Sequence, residues 1–308
     1  MKNYKIAVDE TILIKDEICS AGSKMLYNFK SPYSAAVIEK LKTAGFEISS
    51  KSKTSEFGST REHGEANIIL GIDIGGEAYN YASKNGFYYI KPTYGTVSRF
   101  GLVANVSSID QIGVYAKNLD DGFEILSVIA GHDKNDGTTY PELKYEYKPS
   151  PETLKTAEFK AGDFKYSAYF TSVYCIVQTA EFCNNINRFD GLKFGYRTKN
   201  FKNYDDIVIN SRSEAFTTET KLKALMGTYV LSEGQYKKYY HKAMQVRRLI
   251  KQETDEIFNK YDIIELPLCE ETAALINLTG NPALVAGKKI ITAKQFGENK
   301  LYSFGRES

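Results

Sequence analysis

A short apolar stretch that runs into a glycine turn decides the fold of this 308-residue chain, Asn67-Ile-Ile-Leu-Gly-Ile-Asp-Ile-Gly-Gly76. Its isoleucines and leucine predict a strand that is buried on both faces, and the paired glycines predict a tight turn at its end. Residues 86–90 predict a second strand, which ends at the turn-forming segment 91–95. Residues 6–14 alternate apolar and polar side chains, as a further strand does.

Helices are predicted between and after these strands. Residues 34–44 place apolar side chains on one face. Asn118 is a candidate N-cap for a helix that ends before Gly131, and another helix is predicted over residues 172–188. The clearest amphipathic pattern covers residues 235–262 and is followed by a predicted strand. Alternating strands and helices of this kind favour an α/β fold.

The composition limits the classes of function. Forty Lys+Arg against 38 Asp+Glu give a net charge of +2, so the chain has no overall basic character and direct binding of nucleic acid is not expected. The four cysteines and three histidines are dispersed, which predicts neither a metal site nor a cofactor. Free thiols and the lack of a signal-like or membrane-spanning apolar run predict a soluble cytoplasmic protein.

The chain is predicted to form a single domain over residues 1–308. Residues 1–135 carry the motifs, and residues 166–308 form a half made of helices and C-terminal strands. Between them, residues 136–165 are polar and rich in proline, which indicates a shortened variable linker.

Three groups of motifs carry a resemblance to a known family. They are Ile14–Cys19 with Ser23–Phe29, Lys91–Ala104 with its continuation to Asp133, and Asn187–Gly191 with Ser211–Phe216 and Met226–Ser232. In this order they resemble the amidase-signature family, and within it the A subunits of the tRNA-dependent amidotransferases. The resemblance implies the amidase-signature fold, a central mixed β-sheet flanked by helices, with peripheral elements missing from this shorter chain.

The same resemblance implies a chemistry. Members of the family cleave amides with a serine nucleophile, a second serine in a cis peptide bond and a buried lysine. A serine becomes an effective nucleophile only when a base takes its proton, and backbone N–H groups of a glycine turn stabilise the oxyanion. The resemblance places the lysine at Lys15 and the oxyanion turn at Ile74, Gly75 and Gly76.

Position 77 departs from that chemistry. The segment Gly71–Glu77 matches the family's Gly-Ser-Asp-Thr-Gly-Gly-Ser without a gap, so Glu77 stands where the resemblance places the nucleophilic serine. A carboxylate about 4 Å from an oxyanion repels it by about 4 kcal/mol at an effective dielectric of 20. That energy corresponds to roughly a thousandfold in rate.

The proton relay also departs from the pattern. No Gly-Gly-Ser-Ser run precedes the strand over residues 67–72, and Ser59 lacks the flanking glycines and is typical of a turn serine. The sequence therefore predicts that the serine mechanism is lost and that Lys15 is vestigial.

Two residues are candidates for substrate binding. Arg212 matches the arginine that the resemblance assigns to the substrate carboxylate, and the alternative is a salt bridge on a helix surface. Glu270 lies near the position of a family aspartate that binds the substrate ammonium group.

Three hypotheses about function stay open. The first is an inactive amidotransferase-A-like protein that binds partners resembling the B and C subunits, or a small amide or amino acid. The second is an amidohydrolase with a site rebuilt from Lys15, Glu77 and Asp73, which requires Lys15 and Glu77 to converge on an open pocket. The third is a degenerate fragment without function, although the amphipathic pattern of residues 235–262 indicates that the chain still folds.

Overall fold

The computed structural model of the chain describes residues 4–141, 145–149 and 152–307. Its strands are β1 (Ile6–Asp9), β2 (Ile48–Thr54), β3 (Thr60–Glu62), β4 (Ile68–Ile72), β5 (Tyr88–Lys91), β6 (Ile112–Ala116), β7 (Thr156–Glu158), β8 (Ile263–Pro267), β9 (Ala283–Ala286) and β10 (Lys289–Ala293). Its α-helices are α1 (Ala36–Thr43), α2 (Glu77–Asn85), α3 (Leu119–Ile129), α4 (Phe170–Ile186), α5 (Tyr204–Ala215), α6 (Thr218–Leu231), α7 (Lys242–Ile257), α8 (Glu270–Thr279) and α9 (Glu298–Glu307). A π-helical segment, Lys237–His241, precedes α7.

All ten strands belong to one sheet with the order β3-β2-β1-β4-β6-β5-β9-β10-β8-β7. β1 runs parallel to both β2 and β4, and β7 runs parallel to β8. The other neighbouring strands are antiparallel. The predicted mixed sheet flanked by helices is therefore confirmed.

The two faces of the sheet carry separate apolar cores, and β4 contributes to both. All five β4 residues are buried, as its unbroken apolar run predicts. Ile69 packs into the core that includes α2, α4, α7 and α8, whereas Ile68 and Leu70 pack into the core that includes α1, α3 and α9. This sandwiching between helices fixes the position of the turn that follows β4.

Several elements lie where the sequence predicts them. The Asn118 side chain caps α3 by accepting a hydrogen bond from the N–H of Asp121 at 3.1 Å. The predicted helix over residues 235–262 differs, because it begins with the π-helical segment and α7 ends at Ile257. The predicted strand over residues 6–14 ends at Asp9, and the predicted linker contains β7 at the edge of the sheet. In the described part of the chain, no helix has the length and apolar character needed to span a membrane.

Candidate functional site

The turn between β4 and α2 forms the centre of the candidate site. Gly75 and Gly76 adopt φ angles of +63° and +86°, in the left-handed region that glycine enters at little cost. Gly76 also meets α8 closely, because a Cβ added there would lie 2.8 Å from the Cβ of Ala273. Glycine is thus required at position 76 by backbone conformation and by packing, and Glu77 becomes the first residue of α2.

Asp73 holds the turn together from inside. Its carboxylate accepts hydrogen bonds from the N–H of Gly76 at 3.1 Å, the N–H of Ala78 at 2.9 Å and Nδ2 of Asn277 at 2.6 Å. Burial raises the pKa of Asp73 to about 6, and these hydrogen bonds together with the charge of Lys91 oppose the rise. Lys91 is itself buried, and burial lowers its pKa to about 7 although Asp73 opposes this.

Two of the three N–H groups of the predicted oxyanion turn, those of Ile74 and Gly76, donate to acceptors within the protein. The N–H of Ile74 donates to Ser59 Oγ at 3.0 Å, and the N–H of Gly76 donates to Asp73. Gly75 lies against the ring of Tyr174. Ser59 is fully buried rather than a solvated turn serine. Its hydroxyl oxygen accepts the hydrogen bond of the Ile74 N–H, a donor that an oxyanion would need.

Glu77 reaches the surface at the mouth of a small cavity. Its Oε2 accepts a hydrogen bond from Ser55 Oγ at 3.0 Å, and its Oε1 lies 3.5 Å from Nη2 of Arg61. The side chain is 32% exposed. The cavity has a volume of about 210 Å³, and its polar lining includes Glu77, Tyr174, Cys175, Gln178, Lys223 and Glu270.

The structure places four of the predicted residues around one cavity, Ile74, Gly75, Glu77 and Glu270, and leaves Lys15 and Arg212 outside its lining. Glu77 and Glu270 line the same cavity, one at the start of α2 and the other at the start of α8. Lys15 does not line it, because Lys15 is exposed in the loop after β1, where its backbone N–H donates to Ser34 Oγ at 3.2 Å. Within the described residues no hydrogen bond or ion pair joins Lys15 to Glu77.

Arg212 has a different environment from both sequence interpretations. Its Nη1 donates to the carbonyl oxygens of Ile186 and Phe189, each at 3.0 Å, and its guanidinium lies 4.9 Å from the ring centroid of Phe216. No carboxylate among the described residues forms an ion pair with it. Burial lowers the pKa of Arg212. Through its hydrogen bond to Ile186, the side chain connects α5 to the end of α4.

Phe57 is a residue that the sequence interpretation missed. It is 1% exposed and packs against Phe182, Phe189 and Phe216, with the Phe189 ring stacked at 5.7 Å. Its φ angle of +52° is unusual for a side chain of this size. Tertiary packing therefore holds segment 55–59 against the turn, and no local sequence signal indicates it.

Asp9 was also missed. It ends β1 fully buried and accepts hydrogen bonds from Ser52 Oγ at 2.7 Å, Thr60 Oγ1 and the N–H of Ile72. Burial raises its pKa to about 7. Its carboxylate explains Gly71, where a Cβ would lie 2.3 Å from Asp9 Oδ2. The available signal was an acid at the end of an otherwise apolar strand. No cluster of three or more potential metal ligands occurs in the described ranges.

Comparison with known proteins identifies the class that this fold and turn define. The family model described as Amidase matches residues 63–162 and 152–294, and the chain belongs to this family. A peptide amidase from Stenotrophomonas maltophilia shares the fold, with a TM-score of 0.76 over 99% of this chain and 82% of that one at 16% identity.

Within the family the chain is similar to A subunits of glutamyl-tRNA(Gln) amidotransferase. The subunit from Streptococcus agalactiae is 34% identical over 358 positions, which cover 95% of this chain and 73% of the relative. The subunit from Enterococcus faecalis is 33% identical over 84% of this chain and 66% of its own length. The structure of the Thermotoga maritima subunit matches with a TM-score of 0.75 and 25% identity over 97% of this chain and 81% of that one. The 358 aligned positions exceed the 308 residues of this chain by 50, so segments of the Streptococcus relative have no counterpart here.

Proposed function

We propose that this chain is an amidotransferase-A-like member of the amidase family that binds a small amide or amino acid without hydrolysing it. The observation that carries the proposal is the state of the turn after β4. Ile74 and Gly76 already donate their N–H groups to Ser59 and Asp73, and a carboxylate stands at position 77. An oxyanion at this turn would lose donors and meet a negative charge.

The proton-transfer groups support the same proposal. Glu77 is held by Ser55 and Arg61, and neither side chain is a general base. The Lys15 side chain is exposed to solvent, and its backbone N–H donates to Ser34 rather than to a residue of the turn. Lys15 therefore has no contact through which it could take a proton from a hydroxyl at the turn. The rebuilt amidohydrolase required Lys15 and Glu77 to converge on one pocket, and the described contacts do not favour that arrangement.

The cavity beside Glu77 suits a ligand of amino-acid size. Its volume of about 210 Å³ is below the roughly 300–1,000 Å³ typical of drug-sized pockets. Glu77 and Glu270 favour an ammonium group or amide N–H donors. Lys223 also lines the cavity, and a ligand carboxylate would compete for it with Glu219, which lies 2.8 Å away.

The proposal extends to partners, because the relatives are named as subunits. We expect this chain to assemble with polypeptides that resemble the B and C subunits of tRNA-dependent amidotransferases, and not to bind nucleic acid itself. The near-neutral charge balance supports the second expectation. The four free cysteines fit a reducing compartment such as the cytoplasm.

Calorimetric titration of the purified protein with L-glutamine, L-asparagine and L-glutamate tests the cavity. We expect saturable binding of at least one of them, weakened about tenfold or more by Glu270→Gln, since a hydrogen bond to a charged group contributes roughly 1.5–3 kcal/mol. Glu271→Gln is the matched control, because Glu271 neighbours Glu270 on α8 but does not line the cavity. Equal effects of the two variants, or no binding of any of the three compounds, would contradict the assignment of the cavity.

A further inference from the structure

Helix α6 is seated on α4 by one face that is defined by a glycine. A Cβ added to Gly227 would lie 2.1 Å from the carbonyl oxygen of Thr179 and 2.4 Å from the Cβ of Cys183. Thr220 and Val230 are buried on the same side of α6. The two helices therefore approach each other closely at Gly227, which fixes the face of α6 that points outward.

The outward face of α6 is apolar. At 100° per residue, Leu222, Leu225 and Tyr229 lie on the side opposite Gly227, with Met226 beside them. These four side chains, which we call the α6 stripe, are between 52% and 66% exposed. Tyr239 of the π-helical segment extends the stripe, with its ring 5.7 Å from that of Tyr229.

Such a stripe differs from scattered surface residues. Single exposed apolar side chains are ordinary, but several of them side by side on one helix face usually mark a surface that packs against another element. The spacing of three, one and three residues along the stripe is that of anchors by which one amphipathic helix packs on another. The α6 sequence therefore has the pattern of a helix with a second neighbour, which the described part of the chain does not provide.

The charges around the α6 stripe select among the candidate neighbours. Lys237, Lys238 and Lys242 flank Tyr239 in the chain, are exposed, and form no ion pair with the described residues. Lys221 donates to the carbonyl oxygen of Ser213 and not to a carboxylate. Between residues 218 and 242 the acidic residues are Glu219, which pairs with Lys223, and Glu233, which forms no ion pair with the described residues. The surroundings of the stripe are therefore net positive.

These observations point to one kind of occupant. A second copy of this chain would bring lysines against lysines, which is unfavourable, whereas acidic side chains would pair with them. We infer that the α6 stripe is a docking surface for an amphipathic helix of another polypeptide, whose apolar stripe is flanked by Asp or Glu. The inference rests on the proposed function only in taking the chain to act through binding.

The surface and the cavity are separable. Lys223 lies on the side of α6 that faces the cavity, within about 40° of Gly227 on the helical wheel, and the α6 stripe lies on the other side. A charge placed on the stripe should therefore leave the cavity and its ligand unchanged.

Fluorescence anisotropy with two synthetic helical peptides tests the inference. Both carry leucines at the stripe spacing, and one has glutamates and the other lysines at the flanking positions. We expect the glutamate peptide to bind at least about tenfold more tightly, with a preference that shrinks at high salt because ions screen exposed charges. Leu225→Glu should weaken its binding at least about tenfold, whereas Ile18→Glu, at a residue that is similarly exposed in another part of the chain, should not.

Three outcomes would overturn the inference: no binding of the glutamate peptide, equal binding of both peptides, or full binding to the Leu225→Glu variant. Self-association in sedimentation experiments that Leu225→Glu abolishes would assign the stripe to a second copy instead. Calorimetry of the Leu225→Glu variant with the amino acids separates the two proposals, because a fault in the docking surface leaves cavity binding intact.

Discussion

Segment 55–59 buries its large apolar side chain, whereas the α6 stripe exposes its apolar side chains to solvent. In the first, Phe57 is enclosed by three phenylalanine rings despite an unfavourable backbone conformation, and the neighbouring Ser59 takes up an N–H of the turn. In the second, Leu225 is 66% exposed on a regular helix. The difference shows that the apolar side chain beside the turn after β4 is packed inside the protein, whereas those of the α6 stripe face the solvent.

The largest effect is expected from Phe57→Ala. Removing a buried aromatic ring leaves a cavity and should lower the free energy of unfolding by about 3–5 kcal/mol. Alanine keeps a Cβ at the same positive φ, so the comparison isolates the ring. Leu225→Ala should change stability by less than about 0.5 kcal/mol. Urea denaturation measures both, and similar values for the two variants would contradict the contrast.

A smaller effect is expected from Gly227→Ala. The added methyl group meets a carbonyl oxygen and a Cβ, neither of which is the end of a flexible side chain, so overpacking should cost about 1–3 kcal/mol in spite of the better helix propensity of alanine. Gly137→Ala is the control, since a Cβ at Gly137 meets nothing within 4 Å. A neutral Gly227→Ala variant would mean that α6 is not seated at this residue and that its outward face is not fixed.

The pH dependence of stability tests the buried interior beside the turn, where Asp9 accepts hydrogen bonds from Thr60 and Ile72. Burial raises the pKa of Asp9 in the folded protein to about 7, above the value of about 3.8 for an exposed aspartate. Its contribution to stability is thus fully present below about pH 4 and is lost as the pH rises through about 7. Asp9→Asn removes this titration and keeps the shape of the side chain.

The measurement for Asp9 is the free energy of unfolding of both proteins at several pH values between about 4 and about 8. The wild type should lose at least about 1 kcal/mol more than Asp9→Asn across this range, since one pKa unit corresponds to about 1.4 kcal/mol. Other titrating groups, including Asp73, are common to both proteins. Parallel curves would show that Asp9 ionises as an exposed carboxylate does.

The smallest effect is expected from Ser59→Ala. The N–H of Ile74 loses its acceptor at a buried site, which should cost about 1 kcal/mol. Ser55→Ala, which removes a hydrogen bond to the partly exposed Glu77, should cost less. The reverse order in thermal denaturation would show that the turn does not depend on Ser59.

The sequence predicts the sheet and its flanking helices where the signal is local. The apolar run of β4, the glycines of its turn and the Asn118 cap all express short-range preferences. The burial of Asp9 and Ser59 could not be predicted, because β2 and β3 bring Ser52 and Thr60 onto Asp9 from more than forty residues away.

The motif residues show the same limit. A match in sequence assigned Lys15 and Arg212 to positions in the family's motifs. Whether such a side chain is buried or points into a cavity depends on tertiary packing, which the match does not contain. The exposure of the α6 stripe could not be predicted either, because the spacing of its apolar residues fits a face that is buried in the core as well as one that faces the solvent.

Ammonia release from L-glutamine decides whether the chain cleaves an amide or only binds it. The assay uses the purified wild type and Glu77→Ser, with an active amidase as positive control. We expect no ammonia above background from either protein, because in both the N–H of Ile74 donates to Ser59 and Lys15 lies at the surface. Ammonia release that increases in proportion to the wild-type protein and is absent from Glu77→Gln would show instead that the chain hydrolyses glutamine by means of Glu77.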